Sequence, residues 1–445
     1  MKTAVLAFAV LLIGGLASAQ ESVTDEDALF GGDPSEAVGE AAPPAPEAEK
    51  PAEELLQSTG IEWGGSFTST FASVFSWSGY PEDLGSLGWN DSASFLTDLN
   101  ASLFFDARPD KSFRVFGKLK AAYPFQIPTA IPGTQVPNIR VFELFSDFDW
   151  RDTLFFRVGK HTIQWGVGYF FSPADVLNLT PIDPEEPTAE REGPVSLKAQ
   201  YPIGLNSFSL FLIANDVTTP DQIGVAPKAE FLIGNWEIGI GGFYRNELAL
   251  RAVLMASGSL FGIDIFAEAA ASWGADRRFI RAVTPSPEYP LGIEVYTQNE
   301  GVFFSGTAGF SWMSADWWNP NIAVQYYYNG YGYDDSSLFP DALVQVAIGA
   351  LSVQDLMSFG RHYAAASLGF GKIADQELGA YVFWMGNFSD GSGQISPSVT
   401  WKIFDYATIS ARIAFLYGGD YLEFTPPGTS RIQASLIATL GSGKF

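Results

Sequence analysis

The chain has 445 residues, no cysteine and a formal net charge of −25 at neutral pH. That charge argues against a nucleic-acid partner, since phosphate backbones are bound by cations, and the missing cysteines exclude disulfides, thiolate chemistry and a lipidated N-terminal cysteine. Hydrophobic residues make up 47% of the chain and aromatic residues 15%, yet beyond the N-terminus no apolar run reaches the roughly 20 residues that a spanning helix needs.

Residues 1–19 read as a secretory signal peptide. Lys2 supplies a positive start, Ala4 to Leu16 is an apolar run too short to span, and Ala17-Ser18-Ala19 is a small-residue cleavage site. Export follows, with a mature chain beginning at Gln20. Residues 20–60 are acidic and Pro-rich, with Glu21, Asp25, Glu26, Asp27, Asp33, Glu36 and Glu40 among the acids, Lys50 alone against them, and Pro43, Pro44, Pro46 and Pro51. Such a stretch cannot bury a core, so it is expected to be a disordered periplasmic tether.

From residue 61 to 445 the chain reads as hairpins with a period of two. Phe95, Leu99, Leu103 and Phe105 share one face of a strand and Asp98, Asn100 and Ser102 the other. In the next strand Phe113, Val115, Leu119 and Tyr123 oppose Arg114, Lys118 and Lys120. Ile263, Ile265 and Trp273 oppose Asp264 and Glu268, Val399 and Trp401 oppose Thr400 and Lys402, and Ile409 and Ile413 oppose Ser410 and Arg412. Charge on one face only suits a strand between lipid and a wet lumen. The predicted fold is all-β: a transmembrane antiparallel β-barrel of about 18 strands, from 61–77 to 428–445. Short and long connections alternate along it, as periplasmic turns and surface loops do. The exception is the short Arg245 to Leu248 link, which leaves 16 strands as the alternative. Trp150, Trp236, Trp312, Trp317, Trp318 and Tyr406 are expected in a periplasmic aromatic girdle. Trp77, Trp165, Trp273, Tyr326, Tyr328, Trp384 and Tyr417 are expected in a surface one. Residues 340–357 break the strand pattern, and Ala342, Val346, Leu351 and Leu356 allow a short helix there.

Two segments carry a family resemblance. The final strand has Ile432, Ala434, Leu436, Ala438 and Leu440 on one face and ends in Phe445. It resembles the C-terminal signal that the insertion machinery of bacterial outer-membrane barrels reads. Phe445 falls on the opposite parity, which a bulge at Gly441 or Gly443 would reset. The second segment is Gly159-Lys160-His161, Gln164-Trp165-Gly166-Val167-Gly168, Ser172-Pro173-Ala174-Asp175, Asn178, Asp183-Pro184 and Arg191-Glu192-Gly193. It is similar to a loop of porin-like barrel families of diderm bacteria. The resemblance implies the outer membrane as location, membrane lipid and the insertion machinery as partners, and small solutes as cargo. An oligomer is left open.

Hairpin order makes 165–193 the third surface loop, which in general porins narrows the pore. Its candidate constriction residues are Asp175, Asp183, Glu185, Glu186, Glu190, Arg191 and Glu192, stiffened by Pro173, Pro181, Pro184 and Pro187. The alternative is a loop lying over the surface. Candidate wall residues opposite it are Arg114, Lys118, Lys120, Arg157, Lys402, Arg412 and Arg431, which would set a transverse field against the acidic loop. The alternative is pairwise neutralisation, as of Asp98 with Arg114 or Lys118. His161 and His362 lie in distant strands with no nucleophile motif beside them, so no enzyme, cofactor or metal site is expected. A porin or selective channel for passive diffusion is the leading reading. A hydrophobic-ligand transporter and a surface adhesin or structural barrel are the others.

Overall fold

A computed structural model describes residues 60–79, 91–128, 135–315, 318–373 and 377–444. The signal peptide, the acidic tether up to residue 59, Trp317 and the terminal Phe445 lie outside the described residues. Among the described residues, eighteen antiparallel strands form one closed sheet. They are β1 (Gly60–Trp77), β2 (Ser92–Asp110), β3 (Phe113–Pro128), β4 (Gln135–Trp150), β5 (Leu154–Lys160), β6 (Val195–Ile203), β7 (Asn206–Ile213), β8 (Gly224–Ile233), β9 (Trp236–Phe243), β10 (Leu250–Leu260), β11 (Ile263–Trp273), β14 (Val302–Met313), β15 (Pro320–Tyr328), β16 (His362–Phe370), β17 (Leu378–Asn387), β18 (Ser392–Phe404), β19 (Ala407–Tyr417) and β20 (Ile432–Lys444). Each pairs with its chain neighbour, and β1 pairs with β20 from Trp77↔Ile432 to Ser66↔Lys444. Closure leaves no unpaired edge, which backbone polar groups in lipid require.

The period of two decides the two faces. Leu103, Leu119, Leu254, Phe304, Val399, Ile409 and Leu436 point outward and are exposed. Ser102, Asp106, Arg114, Lys118, Glu268, Thr307 and Gln325 are buried on the inner face. An apolar exterior around a polar interior is the inverse of a soluble core, and it fits a barrel in a bilayer. The count of eighteen holds because residues 244–249 between β9 and β10 are a short surface loop.

Near closure, the β1–β20 register shifts between Ser66 and Phe67, and Gly441 takes φ +82°. That is the bulge expected before the C-terminus. Trp150, Trp273, Trp312, Trp318 and Tyr406 are outward and exposed, as girdle positions should be. Trp165 corrects the expectation: it is fully buried inside the barrel, edge-on to Phe211. It sits beyond the end of β5, where strand parity no longer applies.

Two surface loops have structure of their own. Loop 274–301 carries the hairpin β12 (Arg278–Ala282) and β13 (Ile293–Thr297), outside the barrel sheet. Loop 329–361 carries helix α1 (Phe339–Ala347) followed by a short 3-10 turn (Val353–Leu356), where the broken strand pattern allowed a helix.

Candidate functional site

The site is built by the loop that leaves β5 after Lys160 and returns at Val195. Its two ends are set by glycines. Gly159 has φ +137°, and a Cβ there would lie 2.2 Å from the Leu144 carbonyl oxygen; at Gly193 a Cβ would lie 1.8 Å from that of His161. The outgoing and returning legs therefore pass backbone to backbone, which a larger residue would prevent.

The first leg, 161–178, is held by apolar packing and by two polar wall residues. Ile163, Trp165, Ala174 and Leu177 pack against Phe211, Ile213, Ala226, Phe243, Val253 and Met255, inner residues of β7 to β10. Tyr169, Phe170 and Phe171 pack against Phe266, Ala323, Tyr363, Ala365 and Phe383 on β11 and β15 to β17. Burying each such side chain contributes on the order of 1.5–3 kcal/mol. From β11, the Glu268 carboxylate accepts hydrogen bonds from Val167 N (2.5 Å), Gly168 N (2.6 Å), Ala174 N (3.0 Å) and Ser172 Oγ (3.0 Å). From β15, Gln325 Oε1 accepts from Tyr169 N, Phe170 N and Phe171 N at 3.1, 2.6 and 3.3 Å, and its Nε2 donates to Phe171 O at 2.6 Å. These contacts satisfy backbone amides of a segment without regular secondary structure, which would otherwise be buried unpaired.

The second leg is held by charge. Glu190 meets Lys118 Nζ at 2.5 Å and Lys120 Nζ at 2.7 Å, both on β3. Glu185 meets Arg412 on β19 and accepts from Gln394 on β18. Glu192 pairs with Lys160 and, at 3.5 Å, with Arg140. The loop thus touches inner residues on opposite stretches of the wall, and it lies within the barrel rather than over the surface.

Burial pushes the Glu190 carboxyl up, but Lys120 and Lys118 outweigh it and hold it below the usual carboxylate range. Asp183 moves the other way, raised by burial despite accepting from Glu185 N at 2.9 Å. Asp175 and Arg191 pair with each other inside the loop, with Asn178 Nδ2 2.9 Å from Asp175. They shape the loop rather than face the wall. Glu186 closes a turn, its N–H donating to Asp183 O at 3.1 Å.

The seven predicted wall cations separate into three groups. Lys118, Lys120 and Arg412 meet the loop. Arg114 and Arg157 are matched by wall carboxylates: Arg114 with Asp106 (2.9 Å) and Asp147 (3.5 Å), Arg157 with Asp147 (2.7 Å). Asp98 is not the neutralising acid, because the β2–β3 register sets Phe104 opposite Lys118 and Asp106 opposite Phe116, which leaves Asp98 farther along β2. Lys402 pairs with Asp405 in the turn before β19 (3.2 Å). Arg431 clamps the loop before β20, donating to Gly418 O (2.8 Å) and Asp420 (2.6 Å). Both lie at strand ends, at the rims rather than at the height of the loop. His161 edges onto the Phe145 ring, and His362 shares a 2.7 Å hydrogen bond with Tyr326, so the histidines form no common site.

Comparison with known proteins gives structural likeness only. No family model matches the chain, and no curated protein matches it in sequence. Among solved structures, Acinetobacter baumannii OccAB1 aligns at TM-score 0.48 and 10% identity, covering 86% of this chain and 96% of that one. Pseudomonas aeruginosa OccK9 aligns at 0.47 and 9%, covering 85% and 98%. A Rhodopseudomonas blastica porin aligns at 0.41 and 9%, covering 87% and 100%.

Proposed function

We propose that the chain is an outer-membrane channel of the porin kind, for passive diffusion of small solutes across the outer membrane of a diderm bacterium. The observation that carries this reading is a closed barrel with an apolar exterior whose third surface loop is tied to inner residues around the lumen. Loop 165–193 is its constriction, with Glu185, Glu190 and Glu192 on the loop and Lys118, Lys120 and Arg412 on the wall. Opposite charges side by side in a narrow passage order water and orient dipolar solutes, and they act strongly there because the surroundings screen poorly. Asp175, Asp183, Glu186 and Arg191 keep the loop in shape. Membrane lipid surrounds the apolar band, and the last strand is the segment offered to the insertion machinery. Conductance of the refolded chain in planar bilayers tests the reading: stepwise openings support it, and a sealed membrane overturns it.

A further inference from the structure

On the surface side, the β12–β13 hairpin and the α1 loop pack together around Ile280, Ile293, Phe339, Ala342 and Leu351. Tyr333 Oη fastens them, accepting from Ile280 N at 2.7 Å and donating to Ile280 O at 3.1 Å. Where this body meets β10 there is an open pocket of about 390 Å³, lined by Arg251, Asp276, Arg277, Arg278, Ser352 and Asp355 among others. Arg251 shares the inner parity of β10 with buried Val253 and Met255, so the pocket lies at the mouth of the lumen.

The charges there do not balance. Arg251 pairs with Asp276. Asp355 accepts from Ser352 N (2.8 Å), Ser352 Oγ (2.7 Å) and Arg278 N (3.0 Å), while the Arg278 guanidinium reaches it only at 3.5 Å. Arg277 gives one N–H to the Asp355 carbonyl, and its Nε is buried with no partner among the described residues. Three guanidiniums face two carboxylates, and a buried donor without an acceptor is unfavourable. Guanidinium forks match planar or tetrahedral oxyanions.

We propose that this pocket binds a small oxyanion, the phosphate or carboxylate group of a soluble solute, with Arg277 and Arg278 as its main donors. Capture ahead of the constriction would be its role, and that role rests on the channel reading; the binding itself does not.

The test is calorimetric titration of the full chain, refolded in detergent, with inorganic phosphate at low ionic strength. Saturable binding is expected, weakened about tenfold in Arg277→Gln and in Arg278→Gln, the amount a lost charged hydrogen bond implies. Asp276→Asn should bind several-fold more tightly, because Arg251 is released into the pocket. Should Arg277→Gln lose heat-modifiable migration, Arg278→Gln and Asp276→Asn carry the test alone. No saturable binding, or Arg variants that bind like the parent, would overturn the site. Phosphatidylglycerol in the micelles should leave the isotherm unchanged; displacement would overturn the soluble solute in favour of a lipid headgroup. Conduction without binding sinks only this site, and binding without conduction sinks only the channel.

Discussion

Lys118 on the barrel wall donates to Glu190, near the far end of the inward loop, at 2.5 Å. The pair joins β3 to a loop that enters after β5. It lies on the leg of the loop held by charge, whereas the other leg is held by apolar packing and amide hydrogen bonds. The two legs therefore answer to different perturbations.

Glu268→Gln should loosen the first leg. A glutamine offers one acceptor oxygen where the carboxylate offers two, and it turns an N–H₂ toward amides that need acceptors. Loss of such a charged hydrogen bond amounts to about 1.5–3 kcal/mol, or roughly a 10- to 150-fold larger detached population. The expected outcome is larger open-channel noise with unchanged heat-modifiable migration. A channel as quiet as the parent would show that Glu268 does not position the loop.

Loop 418–431 is predicted to respond to pH through Glu423. Its carboxylate accepts from Tyr363 Oη (2.5 Å), Asn387 Nδ2 (2.7 Å) and Phe359 N (3.1 Å). Burial nevertheless pushes the group from its ordinary 4.5 up to about 7. A raised folded-state value means that the packed loop is fully supported below about 4.5 and loses that support as pH rises through about 7. Chymotrypsin nicking near Tyr421 should therefore increase from pH 5.5 to 8.5 in the parent relative to Glu423→Gln, which controls for the protease. A constant ratio between the two proteins contradicts this.

The lipid-facing band is tested at Leu254 on β10, outward and half exposed between buried Val253 and Met255. Leu254→Arg should cost about 2–4 kcal/mol in denaturant unfolding from lipid vesicles, the range for a cation on the lipid face near mid-bilayer. A change within about 0.5 kcal/mol, usual for an ordinary surface position, would place Leu254 in water.

Deleting residues 20–59, which end where β1 begins, should leave barrel assembly intact, because an acidic Pro-rich stretch has little to pack with. Loss of heat-modifiable migration in the deletion protein would show that the segment takes part in assembly.

The strands were legible in the sequence because one-sided polarity repeats every two residues, so Leu119 against Lys118 and Lys120 already separates outside from inside. Height along the barrel was not legible. Parity says that Lys402 and Arg431 leave the apolar face, but their place at the rims depends on tilt and stagger, which parity does not record. The same gap hid the choice of Asp106 over Asp98 as the partner of Arg114. Glu268 read only as one of two acids, with Asp264, on the polar face of its strand. Its role, like that of Gln325, needed the loop backbone to be seen beside it. The β12–β13 hairpin was not legible, because Arg277, Arg278 and the prolines Pro285, Pro287 and Pro290 leave no clear period of two there.

The most direct measurement compares single-channel conductance and reversal potential of the parent, of a protein with loop residues 179–190 removed, and of the Glu185→Gln, Glu186→Gln, Glu190→Gln variant. Removing the segment takes chain out of the lumen, and removing the carboxylates leaves Lys118, Lys120 and Arg412 without their counter-charges. If loop 165–193 is the constriction, the parent shows discrete openings, the shortened protein a higher conductance, and the charge variant a shift toward anion selectivity. A parent without openings, or two variants that conduct and select like the parent, would contradict that reading.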